Sequence, residues 1–344
     1  MGKKLNHSIQ KIGEKPRSMS LQLIINEAKK RKINATIIYP NLLIKLQHKK
    51  HIEYVFEQMT TKTSIIGLKC CQDKILTKFL LDKNNISISH GKEFKINQFN
   101  NAEKFVKKIG WPIVLKPNFS THGSDVYINI NNDELFKKYW KKILERHETI
   151  IIEKYFEGKE YRILATKNQT VGIIHRVPAN IVGDGINSIK KLIERKNSDS
   201  KRGDSYDKSL ISIKIDEDLL FNLKKQNLNL NSILEKNQKV FLKDVSNLSQ
   251  GGDSIDFTDI AHPSIKKIAV KTIQSIPGLA YGGIDFLTKD ITKKQDKNSY
   301  IIVEVNASPM ISMHHVPYEG KPRDIAKIII DILFSETISK IKRK

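Results

Sequence analysis

Hydrophobic positions in this chain fall into short runs divided by polar and turn-forming residues, a rhythm that predicts strands alternating with amphipathic helices. Leu21, Leu23, Ile24, Ile25 and Ala28 suit one helix over residues 21–30, followed by a strand over residues 34–39 that Pro40 and Asn41 end. Apolar runs at residues 42–46 and 52–56 continue this small α/β unit. Helices are predicted over about residues 73–82 and 102–109, flanking a strand at residues 111–117 in which Ile113, Val114 and Leu115 lead into Lys116. Residues 149–152 read as a second buried strand, which runs out into Glu153, Lys154, Tyr155 and Phe156. Residues from about 197 to 244 are polar and rich in Asn and Lys, with a helical pattern over residues 216–225; they read as an excursion from a sheet.

Two strand-like runs near the C-terminus carry the most chemistry, Gly282-Gly283-Ile284-Asp285-Phe286 and Ile301-Ile302-Val303-Glu304-Val305-Asn306. Side chains two apart on a strand share a face, so the Glu304 carboxylate and the Asn306 amide converge, and Asp285 is the polar residue of the companion run. Such an oxygen set suits a hard cation that also takes water and phosphate, as Mg²⁺ does. A partly solvated strand end is the alternative, and these three residues by themselves leave both open.

Composition narrows the classes. At 344 residues the chain has room for two or three lobes with a cleft between them. Sixty basic against 37 acidic residues give a net charge of +23 and a strong positive field. The lysines are spread along the whole chain with no basic block interleaved with aromatics, which favours a composition bias over nucleic-acid binding, while the field still helps recruit nucleotides. Cys70 and Cys71 are the only cysteines and are adjacent, so neither a disulfide nor a zinc site is expected and a reducing, cytoplasmic setting is. The N-terminus lacks an apolar signal core, Asn6 stands where myristoylation wants Ser or Thr, and the apolar residues 326–334 are broken by Lys327 and Asp331; no membrane partner is expected. The ten histidines show no zinc spacing, His314 and His315 would point opposite ways on a strand, and no internal repeat is found. Arg162 and Arg176 sit on expected strands, an uneconomical place for a long cation unless an anion awaits it.

Four motifs occur in order: His175-Arg176-Val177-Pro178-Ala179-Asn180, Asn247-Leu248-Ser249-Gln250-Gly251-Gly252-Asp253, Glu304-Val305-Asn306-Ala307-Ser308-Pro309 and Pro317-Tyr318-Glu319-Gly320. With these the chain resembles, from about residue 21 to 334, the ATP-grasp superfamily of carboxylate–amine ligases, most strongly the ATP-grasp half of the bifunctional glutamate–cysteine ligase/glutathione synthetases, then the cyanophycin synthetases. The resemblance implies an α/β fold of α+β lobes, the ATP-grasp fold with a small N-terminal pre-ATP-grasp domain. It divides the chain into a mobile basic arm at 1–17, the pre-ATP-grasp domain at 18–69, an N-lobe at 70–156 and a C-lobe at 157–338 with the excursion at about 197–244.

It also implies ATP and Mg²⁺, with Mn²⁺ as a substitute, and roles for residues. Lys74 and Lys116 would contact the α- and β-phosphates, and the loop 118–124 with Gly123 would cover them, although Phe119, Ser120, Thr121 and His122 stand where relatives carry more glycine. Glu153, Lys154 and Phe156 would form the hinge that reads adenine, Glu160 would accept from the ribose, and Arg162 would line the same nucleotide site. Arg176, with Asn306, would serve the phosphoryl transfer; Asp285, Glu304 and Asn306 would hold the metal; Gly251-Gly252 would be a second loop near the triphosphate.

The expected activity is ligation through an acyl phosphate with release of ADP and phosphate, and its first specific form is glutathione synthesis from γ-glutamylcysteine and glycine. A stand-alone amino-acid or peptide ligase related to cyanophycin synthetase is the enzyme alternative; a non-catalytic basic nucleic-acid-binding protein is the alternative from another class. Expected partners are small-molecule or short-peptide acids and amines, with a homo-oligomer left open. The chain is short of the length that a glutamate–cysteine ligase half or a Mur-ligase-like half would add, so those steps are expected elsewhere.

Overall fold

A computed structural model describes residues 18–39, 42–119 and 125–341, with side chains to residue 335. The basic arm at 1–17, Pro40, Asn41, Gly123 and its neighbours at 120–124 lie outside the described residues.

Helix α1 (Met19–Lys30) leads into β1 (Asn34–Tyr39), β2 (Leu43–His48), β3 (His51–Phe56) and β4 (Met59–Thr60), a four-stranded sheet in chain order. Helices α2 (Ile65–Gln72) and α3 (Lys74–Lys83) follow, then β5 (Gly91–Lys95), α4 (Phe99–Ile109), β6 (Ile113–Lys116), β7 (Tyr127–Ile130), α5 (Asp133–Leu144) and β8 (Thr149–Lys154), whose strands pair in the order β5-β8-β6-β7. The remainder comprises β9 (Lys159–Thr166), β10 (Thr170–Val177), β11 (Asn180–Val182), α6 (Ile189–Asn197), β12 (Arg202–Gly203), β13 (Leu210–Ile211), α7 (Glu217–Lys225), β14 (Lys239–Phe241), β15 (Asp253–Asp256), α8 (Pro263–Gln274), β16 (Tyr281–Thr288), β17 (Tyr300–Asn306), α9 (Ser312–His315) and α10 (Ile325–Ile341). Five of its strands form an antiparallel sheet in the order β15-β10-β9-β16-β17.

The expected α/β alternation at the N-terminus stops after α1: the apolar runs that follow pair as an antiparallel meander, because short turns join them and no second helix intervenes. Its core is not closed by residues 18–69 alone. Leu21, Ile24 and Ile25 of α1 and Ile44, Leu46 and Val55 of the meander share one cluster with Ile329, Ile330 and Leu333 of α10. Arg31 adds an ion pair to Asp331, Nη1 to Oδ1 2.5 Å, across the same junction.

A second difference concerns α3, expected beside the Lys116 strand. Cys70 of α2, Leu81 of α3 and Ile86 pack instead with Ile163, Ile284 and Ile302 in the core of the five-stranded sheet, since their apolar faces match that sheet. The β5–β8 sheet has its own core of Phe94, Val106, Ile113, Leu115, Phe136, Trp140, Ile150 and Ile152. Thus α3 is seated on one sheet while its first turns reach the other. The excursion likewise has a core of its own, in which Ile189, Leu192 and Ile193 of α6 meet Leu219 and Leu223 of α7 and Val240 of β14. His314 and His315 lie on the short helix α9, where His314 is fully buried. Among the described residues no helix is long and apolar enough to cross a membrane.

Candidate functional site

The β5-β8-β6-β7 sheet and the five-stranded sheet wall a cleft of about 2330 Å³ whose lining includes Lys74, Lys116, Glu153 and Phe156 from one side and Glu160, Arg162, Arg176, Asp285, Glu304 and Asn306 from the other. A space of this size exceeds a usual small-molecule pocket and has room for a nucleotide with a second substrate.

The first wall is built on the start of α3. Asp73 caps this helix, its Oδ1 accepting from the backbone N–H of Ile75 and of Leu76 at 3.0 Å each, and so sets Lys74 at the first helical position. Lys74 is then tied to the segment after β6: its backbone N–H donates to Asn118 Oδ1 at 2.9 Å and its Nζ to the Asn118 carbonyl at 2.9 Å. One helical turn on, Lys78 Nζ lies 2.5 Å from Glu153 Oε1 and donates to Ser89 Oγ, which in turn donates to Glu153 Oε2 at 2.6 Å. Lys116, the last residue of β6, reaches the same Glu153 Oε1 at 3.0 Å. Lys78, Ser89, Lys116 and Glu153 are all buried.

Burial would push the Glu153 carboxyl up, but Lys116 and Lys78 outweigh it and hold the group at about 2, ionised. Burial pulls Lys78 down to about 8 in spite of Glu153, with Lys116 and Lys74 pushing the same way as burial. Lys74 is lowered for the same reason, against the attraction of Glu304.

The Glu153 side chain, expected in the hinge that reads adenine, has both its oxygens taken by the lysines and Ser89, because a buried carboxylate is costly unless paired. Lys154 Nζ donates to the carbonyls of Gly110 at 3.1 Å and Trp111 at 2.6 Å.

The second wall follows from strand register. Asp285 on β16 pairs with Arg162 on β9 on one side and with Glu304 on β17 on the other. Arg162 grips it with two bonds, Nε to Oδ1 at 2.5 Å and Nη2 to Oδ2 at 3.2 Å, and Arg176 Nη2 donates to Oδ2 at 2.9 Å. Gly283 makes room for this grip: a Cβ there would meet Pro309 Cβ at 2.7 Å and Arg162 Cδ at 3.1 Å. Burial would raise the Asp285 carboxyl, and the two guanidiniums outweigh it, holding the group at about 2. Glu160, expected to be open to a ribose, pairs with Arg176 and accepts from Ser246 Oγ. Arg176 keeps a buried Nε that has no partner among the described residues.

Glu304 and Asn306 come together as strand spacing predicts, Asn306 Nδ2 donating to Glu304 Oε1 at 3.1 Å. Among the described residues no group of three His, Cys, Asp or Glu is gathered for a metal, so a cation set here depends on the Asn306 amide oxygen beside carboxylates. The donor chemistry, all hard oxygen, fits Mg²⁺ or Mn²⁺.

Sequence reasoning missed Lys78, Ser89 and Ser246. Lys78 had a signal, its spacing of four from Lys74 on a predicted helix, which puts both on one face. The two serines have none in the local pattern, since each meets its carboxylate only through long-range contact.

Comparison with known proteins is consistent with this geometry. Residues 72–177 match the family described as phosphoribosylglycinamide synthetase, ATP-grasp (A) domain. The chain is 33% identical over 326 residues to the cyanophycin synthetase of Synechocystis sp., covering 94% of this chain and 37% of that protein. It is 34% identical over 337 residues to the glutathione biosynthesis bifunctional protein GshAB of Clostridium perfringens, covering 96% and 43% respectively. A crystal structure of a bifunctional glutathione synthetase from Pasteurella multocida superposes with a TM-score of 0.72 at 32% identity, over 92% of this chain and 44% of that one. The chain therefore spans less than half the length of these relatives.

Proposed function

We propose, from the premise that the chain belongs to the ATP-grasp superfamily, that it joins a carboxylate to an amine at the expense of ATP. The observation that carries the proposal is the polarity of the cleft: buried lysines in excess over Glu153 on one wall, and on the other the Glu304 carboxylate with the Asn306 amide that donates to it. A nucleotide triphosphate with its cation needs both signs at once.

In this reading Lys116 and Lys74 take the phosphates, and Phe156 with the chain around it borders the base. Glu304 and Asn306 would hold Mg²⁺, which would offset phosphate charge. Asp285 would join that set only by loosening its hold on a guanidinium, and Glu160 would accept from a ribose only if its pair with Arg176 opened.

The reaction divides into two balanced steps. The substrate carboxylate oxygen attacks the γ-phosphorus and ADP leaves; the amine nitrogen then attacks the carbonyl carbon, phosphate leaves and the nitrogen loses a proton. Arg176 acts in the first step, its fixed donors meeting charge that develops on the phosphoryl oxygens.

Glutathione synthesis from γ-glutamylcysteine and glycine is the specific form carried forward, with a peptide ligation like that of the cyanophycin synthetases as the second. The test adds hydroxylamine with each candidate acid and Mg-ATP. Trapped hydroxamate with ADP and phosphate is expected; AMP and pyrophosphate would mean an acyl adenylate and overturn the reading.

A further inference from the structure

Two ammonium groups share one carboxylate oxygen in the first wall, and only one of them borders the cleft. Lys116 lines it, as do Ser89 and Glu153, whereas Lys78 sits behind them on α3. We propose that Lys78 is a positioning residue for the nucleotide site: by neutralising Glu153 it leaves the charge of Lys116 available to phosphate. The inference rests on the ligase reading above.

The geometry is that of a relay. Glu153 Oε1 lies 2.5 Å from Lys78 Nζ and 3.0 Å from Lys116 Nζ, and Oε2 accepts from Ser89 Oγ at 2.6 Å. At such distances in a dry interior a single lysine facing Glu153 would form a closed, neutral pair with little attraction left for an anion. With Lys78 present the trio carries one net positive charge, and the shorter contact is the one turned away from the cleft. Lys78 and Ser89 together also fix the carboxylate rotamer, and through it the direction of the Lys116 stem. Burial is the main reason that the Lys78 pKa is lowered, and the like charges of Lys116 and Lys74 add to it.

A role in packing alone predicts something different from a role in charge, and the full chain separates them. Calorimetric binding of Mg-ADP is measured for wild type, Lys78→Met and the double variant Lys78→Met/Glu153→Gln, with kcat and KM for ATP once an acid substrate is known. Lys78→Met is expected to weaken Mg-ADP about tenfold, the scale of one charge-assisted contact, and to raise KM for ATP alike with kcat changed less. The double variant buries no unpaired charge and returns Lys116 to phosphate, so it is expected to bind within about threefold of wild type. Recovery of this kind supports the proposal even if Lys78→Met alone folds poorly. Double-variant binding as weak as the single, or a Lys78→Met that binds as wild type does, overturns it. Wild type that binds no Mg-ADP overturns the ligase reading as well.

Discussion

Each wall of the cleft is built round one buried carboxylate between two cations, Glu153 between Lys78 and Lys116, and Asp285 between Arg162 and Arg176. The likeness ends with the neighbours. Around Glu153 two lysines meet one acid, and Lys74 stands close by, so the wall is positive. Around Asp285 the two arginines are matched by Asp285 and Glu160, and Glu304 on the adjacent strand tips the sum to negative. The choice of cation fits the difference. Lysine is a compact charge whose pKa moves when buried, suited to a site that must give up charge to a ligand; arginine keeps its charge and grips a carboxylate with two bonds, suited to holding an acid in place. A phosphate and its cation thus find opposite signs within one space, each presented by the same device differently balanced.

The largest effect should come from removing the acid that tips the second wall. Glu304→Gln keeps the size of a half-buried side chain and leaves the Asp285 pairs intact, so the fold should melt near wild type. Turnover measured as ADP release should fall by on the order of 100-fold or more, the scale of losing a metal-supporting ligand. Unchanged turnover would show that the negative sum does not matter.

Arg176→Ala breaks the comparison on its neutral side and should rank second. Its Nε has no partner among the described residues while its Nη2 serves two acids, so one donor stands ready for charge not yet present. Loss of a group that acts mainly in the transition state lowers kcat, here by about 10–100-fold, with KM for ATP moving by less than about threefold. A rise in KM at constant kcat would assign Arg176 to ground-state binding instead.

How much of this was open to sequence reading depends on the range over which each feature is set. Lys116 at the end of an apolar strand, Glu304 and Asn306 two apart on another, and α3 beginning near Asp73 are local patterns, and the observed elements Ile113–Lys116, Tyr300–Asn306 and Lys74–Lys83 carry them. Pairing of charges is not local. Lys78 and Glu153 are 75 positions apart and Arg162 and Asp285 123 apart, so nothing in either neighbourhood says that Glu153 will be spent on lysines, or that Asp285 will be shared between arginines before any metal arrives. The same holds for the N-terminal meander, whose core is completed by α10 from the far end of the chain.

The smallest effect separates the two walls by titration, because only lysine can lose its charge in an accessible range. Lys78 is lowered from 10.5 to about 8 by burial, Glu153 from 4.5 to about 2 by its lysines against burial, and Asp285 from 3.8 to about 2 by its arginines against burial. For the two acids the folded pKa lies below the unfolded one, so their contribution to stability is present above about 4.5 and is lost as pH falls towards 2. For Lys78 the sign is opposite. Below 8 both states hold the proton and the cost of burying the charge is felt in full; between 8 and 10.5 the unfolded chain binds more protons than the folded one, and stability rises with pH. Urea unfolding at intervals from pH 7 to 10.5 should therefore show a component that climbs by up to ~1 kcal/mol per pH unit and vanishes in Lys78→Met, with all other lysines common to both proteins. An arginine pair supplies no such component, since a guanidinium does not deprotonate in that range. Parallel curves for wild type and Lys78→Met would mean that Lys78 keeps an ordinary lysine pKa, and that the two walls hold their carboxylates in the same way.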